Sequence, residues 1–312
     1  MTNTDYDFII IGSGAAGLSA GVYGGRYGMK TLIIGKEFGG ETMKAGVIEN
    51  WPGDIEVDGF DLIMRMKNHA VSAGAEVIDG EVTNVDKDGD TFKVFVGDKE
   101  YTATNVLFGL GSRRRRLGLP NEDELTSKGV HYCTTCDSPI YAGKTIALVG
   151  GGDASIKGAI LAAQYVEKVY MIVRKDKMRA EPINQEKLKA LGDKVEILFE
   201  TEVTEIIGED KLEKIVLSKE FNGSKEMTVD GLFVEIGAVP DTAIAEELGV
   251  SIDAQKHIEV DNMMRTNIPG IYAAGDSVNH FGHFKQIITA AALGSVAATS
   301  AFEHYKELQH KS

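Results

Sequence analysis

The stretch Tyr6-Asp7-Phe8-Ile9-Ile10-Ile11-Gly12-Ser13-Gly14-Ala15-Ala16-Gly17 joins a mostly apolar run of strand length to a turn with three glycines. The run reads as a buried parallel strand. A helical stretch extends to about Gly28 and a second strand covers Thr31 to Ile34, which makes a βαβ unit with a Gly-x-Gly-x-x-Gly turn. Each glycine has a separate task. Gly12 permits the tight turn, Gly14 lets a pyrophosphate approach the backbone, and Gly17 lets helix pack on strand. The helix N-terminus offers amide donors to phosphates. Glu37 lies 25 residues after Gly12, near the end of the second strand. An acid there accepts hydrogen bonds from ribose hydroxyls and repels a 2′-phosphate. Together these features predict a bound dinucleotide.

The pattern then repeats. Thr145 to Val149 reads as a strand, Gly150-Gly151-Gly152-Asp153-Ala154-Ser155 as its turn, and a helix to about Tyr165 and a strand at Val169 to Val173 complete a second βαβ unit. Here Gly150 and Gly152 are in place, and Ser155 takes the third small position. Arg174-Lys175 stand 24 residues past Gly150, and Arg179 follows. Cations in that place favour a phosphate on the adenosine ribose, hence NADPH over NADH, although a solvated basic strand end reads the same way. Each unit is followed by a meander. The first spans residues 80 to 102, with turns at Lys87-Asp88-Gly89-Asp90 and Gly97-Asp98, and precedes a separate strand at Thr104 to Phe108. The second spans roughly 200 to 229, with a tight turn at Asn222-Gly223, and precedes a strand at Leu232 to Ile236.

The last segment continues neither unit. Ile271 to Asp276 reads as a short strand ending on an acid, and a long helix from about Ile287 to Tyr305 returns to complete the first domain. The expected fold is α/β, with two Rossmann-like three-layer nucleotide-binding domains, the second inserted into the first. Residues 1–115 and 242–312 would form one domain and residues 116–241 the other. Two crossings between them make a hinge. Asp276 could hold the hydroxyls of a ribityl chain or be an ordinary loop aspartate.

Cys133 and Cys136 are the only cysteines in 312 residues, and they stand in Cys133-Thr134-Thr135-Cys136-Asp137. Two thiols so close can close a disulfide ring, and one can lower the pKa of the other. Asp137 adds a group that could move a proton during exchange. One Cys-x-x-Cys supplies only half the ligands of a structural zinc site. His131, alone nearby, reads as structural. His280 and His283 lack further ligands and are rejected as a metal pair.

The remaining composition narrows the classes. Apolar residues make up 43% of the chain, enough for two cores, and the net charge of −14 argues against a nucleic-acid partner. The start, Met1-Thr2-Asn3-Thr4-Asp5, has neither basic nor apolar signal regions, and no apolar run approaches the ~20 residues of a membrane span. A cytoplasmic, non-membrane protein is expected. Arg113 to Arg116 reads as a solvated hinge or a docking patch for an acidic partner.

Taken in order, these pieces resemble the low-molecular-weight thioredoxin reductases over nearly the full length. The matching residues are Gly12-x-Gly14-x-x-Gly17, Gly39-Gly40, Glu49-Asn50-Trp51-Pro52-Gly53, Leu117-Gly118-Leu119-Pro120, Cys133-x-x-Cys136-Asp137, Gly150-Gly151-Gly152-Asp153, Gly275-Asp276 and Lys285-Gln286. The resemblance implies a homodimer with FAD in the discontinuous domain and a pyridine nucleotide in the inserted one. FAD would be held by Gly12, Gly14, Ala15, Ala16, Gly17 and Glu37, by Gly40, Glu41, Asn50, Val82 and Gly111, and by Gly275, Asp276, Lys285, Gln286 and Ile287. NADPH would be held by Gly150, Gly152, Asp153 and Ala154 with Arg174, Lys175 and Arg179. In this resemblance Cys136 faces the flavin, Cys133 attacks the disulfide of thioredoxin or a similar small protein, and Asp137 donates the proton. It also implies that one domain rotates against the other.

The chain departs from that pattern at identifiable places. The usual His-Arg-Arg and later Arg become Val173-Arg174-Lys175 and Arg179, and the usual Glu in the following helix is replaced around Lys157-Gly158. Glu41 stands where Gln is usual, Ser138 where Gly is usual, and Phe108-Gly109-Leu110-Gly111 lacks the common Ala-Thr-Gly. These changes bear on the nicotinamide donor more than on the thiols. The expected function is an NADPH-fed flavin disulfide reductase. Its alternatives are the same relay fed by NADH or reduced ferredoxin, and a flavin redox sensor without turnover.

Overall fold

A strand without a polar face must be covered on both sides. Tyr6–Ile11 accordingly lies inside a seven-stranded sheet, parallel to Thr31–Gly35 on one side and to Lys99–Phe108 on the other. Residues 4–282 and 284–311 are described in this computed structural model, so His283 lies outside the described residues. The chain forms two units. One runs to Arg113 and resumes at Pro240, and the other is Arg114–Val239. Both are α/β, each with parallel strands at its centre and an antiparallel meander.

In the first unit the helix Ala15–Arg26 follows the glycine turn at once. The final helix, Ile287–Lys311, runs past the expected end at Tyr305. Ile271–Ala273 joins the sheet beside Lys99–Phe108, so the C-terminal segment does complete the first sheet. The sequence reading separated the third meander strand from a strand at Thr104–Phe108, whereas the structure makes them one strand of 10 residues. No Gly or Pro interrupts it, so only its surroundings change. Its exposed first half pairs antiparallel with Thr91–Val96, and its buried second half pairs parallel with Tyr6–Ile11. The helix Gly59–Ser72, not singled out from the sequence, starts on Asp58, whose side chain accepts the Phe60 amide.

The second unit has a five-stranded parallel sheet, in the order Val130–His131, Gly231–Val234, Thr145–Val149, Lys168–Val173, Val195–Phe199. One apolar cluster on it includes Leu198, Val203, Ile206, Leu217 and Met227 from the sheet and from the meander Val203–Ile207, Lys214–Phe221, Ser224–Thr228. A second cluster gathers Ile146, Ile156, Ala159, Val166 and Leu188, from the helical side. Three layers result. The meander turn at Asn222-Gly223 has φ 52° and 83°, as a two-residue hairpin of type I′ requires. The segments where the chain passes between units, Ser112–Arg114 and Ala238–Pro240, pair as two short strands.

Among the described residues, no helix is long and apolar enough to cross a membrane, and no group of three or more His, Cys, Asp or Glu is placed to hold a metal ion.

Candidate functional site

In the first unit the glycine turn is backed so closely that side chains cannot fit. A Cβ on Gly12 would lie 2.1 Å from the Gly109 carbonyl oxygen, and one on Gly17 would lie 1.8 Å from that of Gly12. Gly14 is different. Its nearest neighbour would be the Gly39 carbonyl at 3.9 Å, so bare backbone from Gly14, Gly39 and Gly40 meets there. The helix behind it has no side-chain cap and no acid in its first turn, and Ala15 and Ala16 begin it buried. Uncapped amides on an open glycine surface suit a phosphate.

Gly275 and Asp276 follow the strand Ile271–Ala273 and come close to this helix, since a Cβ on Gly275 would lie 3.2 Å from that of Ala16. Burial pushes the Asp276 carboxyl above its usual range against the opposing pull of Lys285, and Glu41 adds to the rise. Among the described residues no hydrogen-bond donor meets that carboxylate. A half-buried acceptor without a donor fits a hydroxyl-rich ligand. Lys285 is held by two carbonyls, donating to Val278 at 2.6 Å and His280 at 3.0 Å, and burial lowers it. Asn50 donates to Gln286 at 3.0 Å, which brings two separate sequence motifs together. Val82 is buried at the start of the meander, and Ile287 opens the final helix. Gly111, at φ 66°, accepts the Asp241 amide at 3.2 Å. Glu37 is paired with Lys44 at 2.6 Å, and this cation, also 3.6 Å from Glu41, lowers the Glu37 carboxyl. Sequence reading gave Lys44 no role. Such an exposed pair is readily exchanged for a ligand hydroxyl. The donor set therefore fits FAD.

In the second unit Gly150, at φ 145°, is backed by the Glu235 carbonyl, and Gly152 faces open space. Asp153 opens the next helix, with Ala154 beside it, but its carboxylate is engaged by the Glu181 amide at 2.9 Å and by Asn184 at 2.7 Å. Ser155 turns its hydroxyl back onto the Gly152 carbonyl. Arg174, Lys175 and Arg179 are exposed, and the Arg179 amide donates to the Gly151 carbonyl at 2.7 Å. The cationic segment thus folds back onto the glycine turn, which fits a phosphorylated nucleotide.

Cys133 and Cys136 form a disulfide around the short helix Thr134–Asp137. Cys136 is exposed and Cys133 half-buried, and Cys133 Sγ accepts the Cys136 amide at 3.2 Å. Thr134, beneath the pair, is held by Glu235, whose carboxylate accepts the Thr134 hydroxyl at 3.0 Å and its amide at 3.3 Å. Glu235 is nearly buried and also pairs with Arg114 at 2.9 Å. The helix Asp153–Ala162 can lie against Thr134 because residue 158 is glycine. A Cβ there would meet the Thr134 hydroxyl at 2.9 Å.

Two readings change here. Arg114 and Arg116 are not merely solvated, because Arg114 holds Glu235 while Arg116 bonds Asp123 and lies 5.0 Å over the Tyr132 ring. His131, read as structural, is not alone, because its Nδ1 lies 3.0 Å from Asp137 Oδ2. Glu235, and the pairing of Arg114 with it, escaped the sequence reading because their partners lie 101 and 121 residues away.

Two dinucleotide turns of Rossmann type with a dithiol in one of their domains define a class of flavin-linked disulfide oxidoreductases. Residues 6–294 match the pyridine nucleotide-disulphide oxidoreductase family, and the chain belongs to it. It is similar to thioredoxin reductase of Treponema pallidum (strain Nichols), at 36% identity over 98% of this chain and 99% of the relative. It is similar to the crystal structure of Lactococcus lactis thioredoxin reductase in the FR conformation, with TM-score 0.91, 33% identity, and coverage of 97% and 100%. A ferredoxin-flavin thioredoxin reductase from Clostridium acetobutylicum is also similar, with TM-score 0.51, 30% identity, and coverage of 98% of each chain.

Proposed function

We propose that this protein is a homodimeric flavoprotein disulfide reductase that passes electrons from NADPH, through FAD and the Cys133–Cys136 dithiol, to thioredoxin or a similar small disulfide protein. The observation that carries the reading is the disulfide between the only two cysteines, set on a short helix that a buried carboxylate fixes. FAD and NADPH have residues that would hold them. Gly14, Gly40, Asn50, Asp276 and Gln286 would hold the first, and Gly152, Arg174, Lys175 and Arg179 the second. Bound FAD supplies a two-electron carrier between a hydride donor and a thiol pair.

The chain's own chemistry is thiol exchange. In the reduced form the Cys136 amide stabilises a Cys133 thiolate. That thiolate attacks one sulfur of the partner's disulfide, so a mixed disulfide forms and the partner's bond breaks. The departing sulfur takes a proton from Asp137. Cys136 then attacks Cys133 and gives up its thiol proton, which closes the enzyme disulfide and releases the second partner sulfur, and Asp137 passes that proton to it. Two electrons leave the enzyme pair and two enter the partner.

The test is Cys136→Ser in the yellow holoprotein. It should keep its flavin and lose turnover of oxidised thioredoxin, and retained turnover would overturn the assignment. A second reading changes only the donor, to NADH or reduced ferredoxin. Val173 and Lys175 favour it, since they stand where the resemblance has His and Arg, and so does the similarity to a ferredoxin-flavin enzyme. Anaerobic mixing with NADPH, NADH and reduced ferredoxin decides it, because the true donor bleaches the flavin band fastest.

A further inference from the structure

We infer that His131 is a positioning residue for Asp137 in disulfide exchange, and that the two side chains together store the proton the departing thiolate takes. The inference rests on the proposed reading of Asp137 as the proton donor.

The geometry is closed on every side. The His131 side chain is 4% exposed. Its strand, Val130–His131, pairs with Gly231–Val234, which places Phe233 directly opposite, and the two rings stack at 5.2 Å and 23°. Nδ1 lies 3.0 Å from Asp137 Oδ2, and Nε2 lies 2.8 Å from the Tyr141 hydroxyl. Tyr141 stands edge-on to both His131 and Phe233. Both ring nitrogens are therefore used, one towards the half-exposed carboxylate next to Cys136 and one towards the interior.

This arrangement tolerates both protonation states of the imidazole. When the ring is neutral, Nδ1–H donates to Asp137 and the Tyr141 hydroxyl donates to Nε2. When it is charged, both nitrogens donate and the Tyr141 oxygen accepts. Both ring nitrogens keep a partner in either state, which is the condition for a group that must gain and lose a proton in place. Burial first, then Asp137 and Asp230, raise the Tyr141 hydroxyl, so it keeps its own proton and acts as a rotor rather than an acid. The groups around the ring are Asp137 from the dithiol helix and Tyr141 from the turn after it, while the strand beneath presents Phe233. Lys144, 5.6 Å over the Tyr141 ring, and Asp230 act through Tyr141.

The protons balance. The exchange starts with a Cys133 thiolate, a Cys136 thiol and one proton on the His131–Asp137 pair. The first departing partner thiolate takes the pair's proton. Cys136 gives its proton to the pair as it attacks Cys133, and the pair passes it to the second departing thiolate. The enzyme ends as the disulfide with the pair empty, and the partner ends as two thiols.

The test uses the full flavoprotein, reduced anaerobically with dithionite and freed of reductant. It is mixed with three oxidants over about pH 5 to 9. Oxidised thioredoxin and bis(2-hydroxyethyl) disulfide release alkyl thiolates, which need a proton. 5,5′-Dithiobis(2-nitrobenzoic acid) releases a thiolate that needs none at neutral pH. His131→Gln should slow both alkyl disulfides on the order of tenfold or more at neutral pH and leave the aromatic one within about twofold. His131→Asn keeps an N–H for Asp137 but cannot store a proton. It should recover part of the rate and still lack the pH limb of the wild type. Combined with Asp137→Asn, either variant should be no slower than Asp137→Asn alone. Equal slowing of all three oxidants, or no slowing of any, would overturn the inference. A wild type inert to thioredoxin but His131-dependent with the small alkyl disulfide would refute the partner and support the proton role.

Discussion

The brace under the dithiol can be broken at one residue, Glu235→Ala. The carboxylate lies at the end of the strand Gly231–Val234, with 6% of its side chain exposed. It accepts from Thr134 Oγ1 at 3.0 Å, from the Thr134 amide at 3.3 Å, and from Arg114 at 2.9 Å. Hydrogen bonds to a charged group contribute about 1.5–3 kcal/mol each, and breaking a buried ion pair by removing one partner costs about 3–5 kcal/mol. The Arg114 side chain is 27% exposed, so water replaces part of what it loses. The cost to local stability should therefore sit at the low end, about 3 kcal/mol.

Whole-chain melting is the wrong assay, since two units need not unfold together. The single tryptophan, Trp51, also lies in the other unit. Amide hydrogen exchange on peptides covering Val130–Tyr141 reads the right place. In the variant those amides should exchange on the order of a hundredfold faster, while peptides from the strand Thr31–Gly35 stay as they were. Glu235→Gln keeps an acceptor for Thr134 but turns an amide towards Arg114, and should cost roughly half as much. A change below about threefold in the Val130–Tyr141 peptides of Glu235→Ala would refute the idea that this carboxylate holds the dithiol turn.

Two other expectations follow from buried polar groups. Ser138 is fully buried, and its hydroxyl is the one buried side-chain polar atom without a hydrogen-bond partner among the described residues, so Ser138→Ala should stabilise the turn by about 1 kcal/mol, and slower-exchanging amides in the same peptides would bear this out. Burial raises the Asp276 carboxyl, so the folded flavin-free chain binds that proton more tightly than the unfolded one, and stability should fall as pH rises from the ordinary carboxylate value to the raised one. Asp276→Asn should flatten that decline, and an unchanged slope in urea unfolding followed by Trp51 fluorescence would remove Asp276 as its source.

The parts legible in the sequence were those governed by local rules. Gly12 and Gly17 announce their strand-turn-helix because nothing larger fits against Gly109 and Gly12. Gly89, at φ 62°, and Gly97, at φ 58°, mark the first meander's turns for another reason, a left-handed backbone in open space. The single strand Lys99–Phe108 was cut in two because its burial changes midway while its backbone does not. The polar contacts were not legible at all. Glu37 looked free until Lys44 met it at 2.6 Å, and Arg114 looked solvated until a residue 121 positions later closed on it. His131 and Asp137 are six residues apart, yet only the turn through Cys133 brings their side chains within 3.0 Å. Hydrogen-bond partners are chosen by the fold, and one sequence records the donor and the acceptor without recording that they meet.

The second unit's contacts also carry a consequence for motion. The backbone carbonyl of Glu235 backs Gly150, which has room for no Cβ, and the side chain of the same residue holds Thr134. The helix that starts at the second glycine turn packs on Thr134 through Gly158. The dithiol and the second glycine turn are thus fastened to one another at two points, one through a buried carboxylate and one through the close approach of Gly158 to the Thr134 side chain. A movement that presents Cys133 to a protein disulfide therefore cannot be a local opening of the Cys-x-x-Cys loop without breaking the Glu235 brace. Such a movement would carry the glycine turn and the cations Arg174, Lys175 and Arg179 along with the thiols.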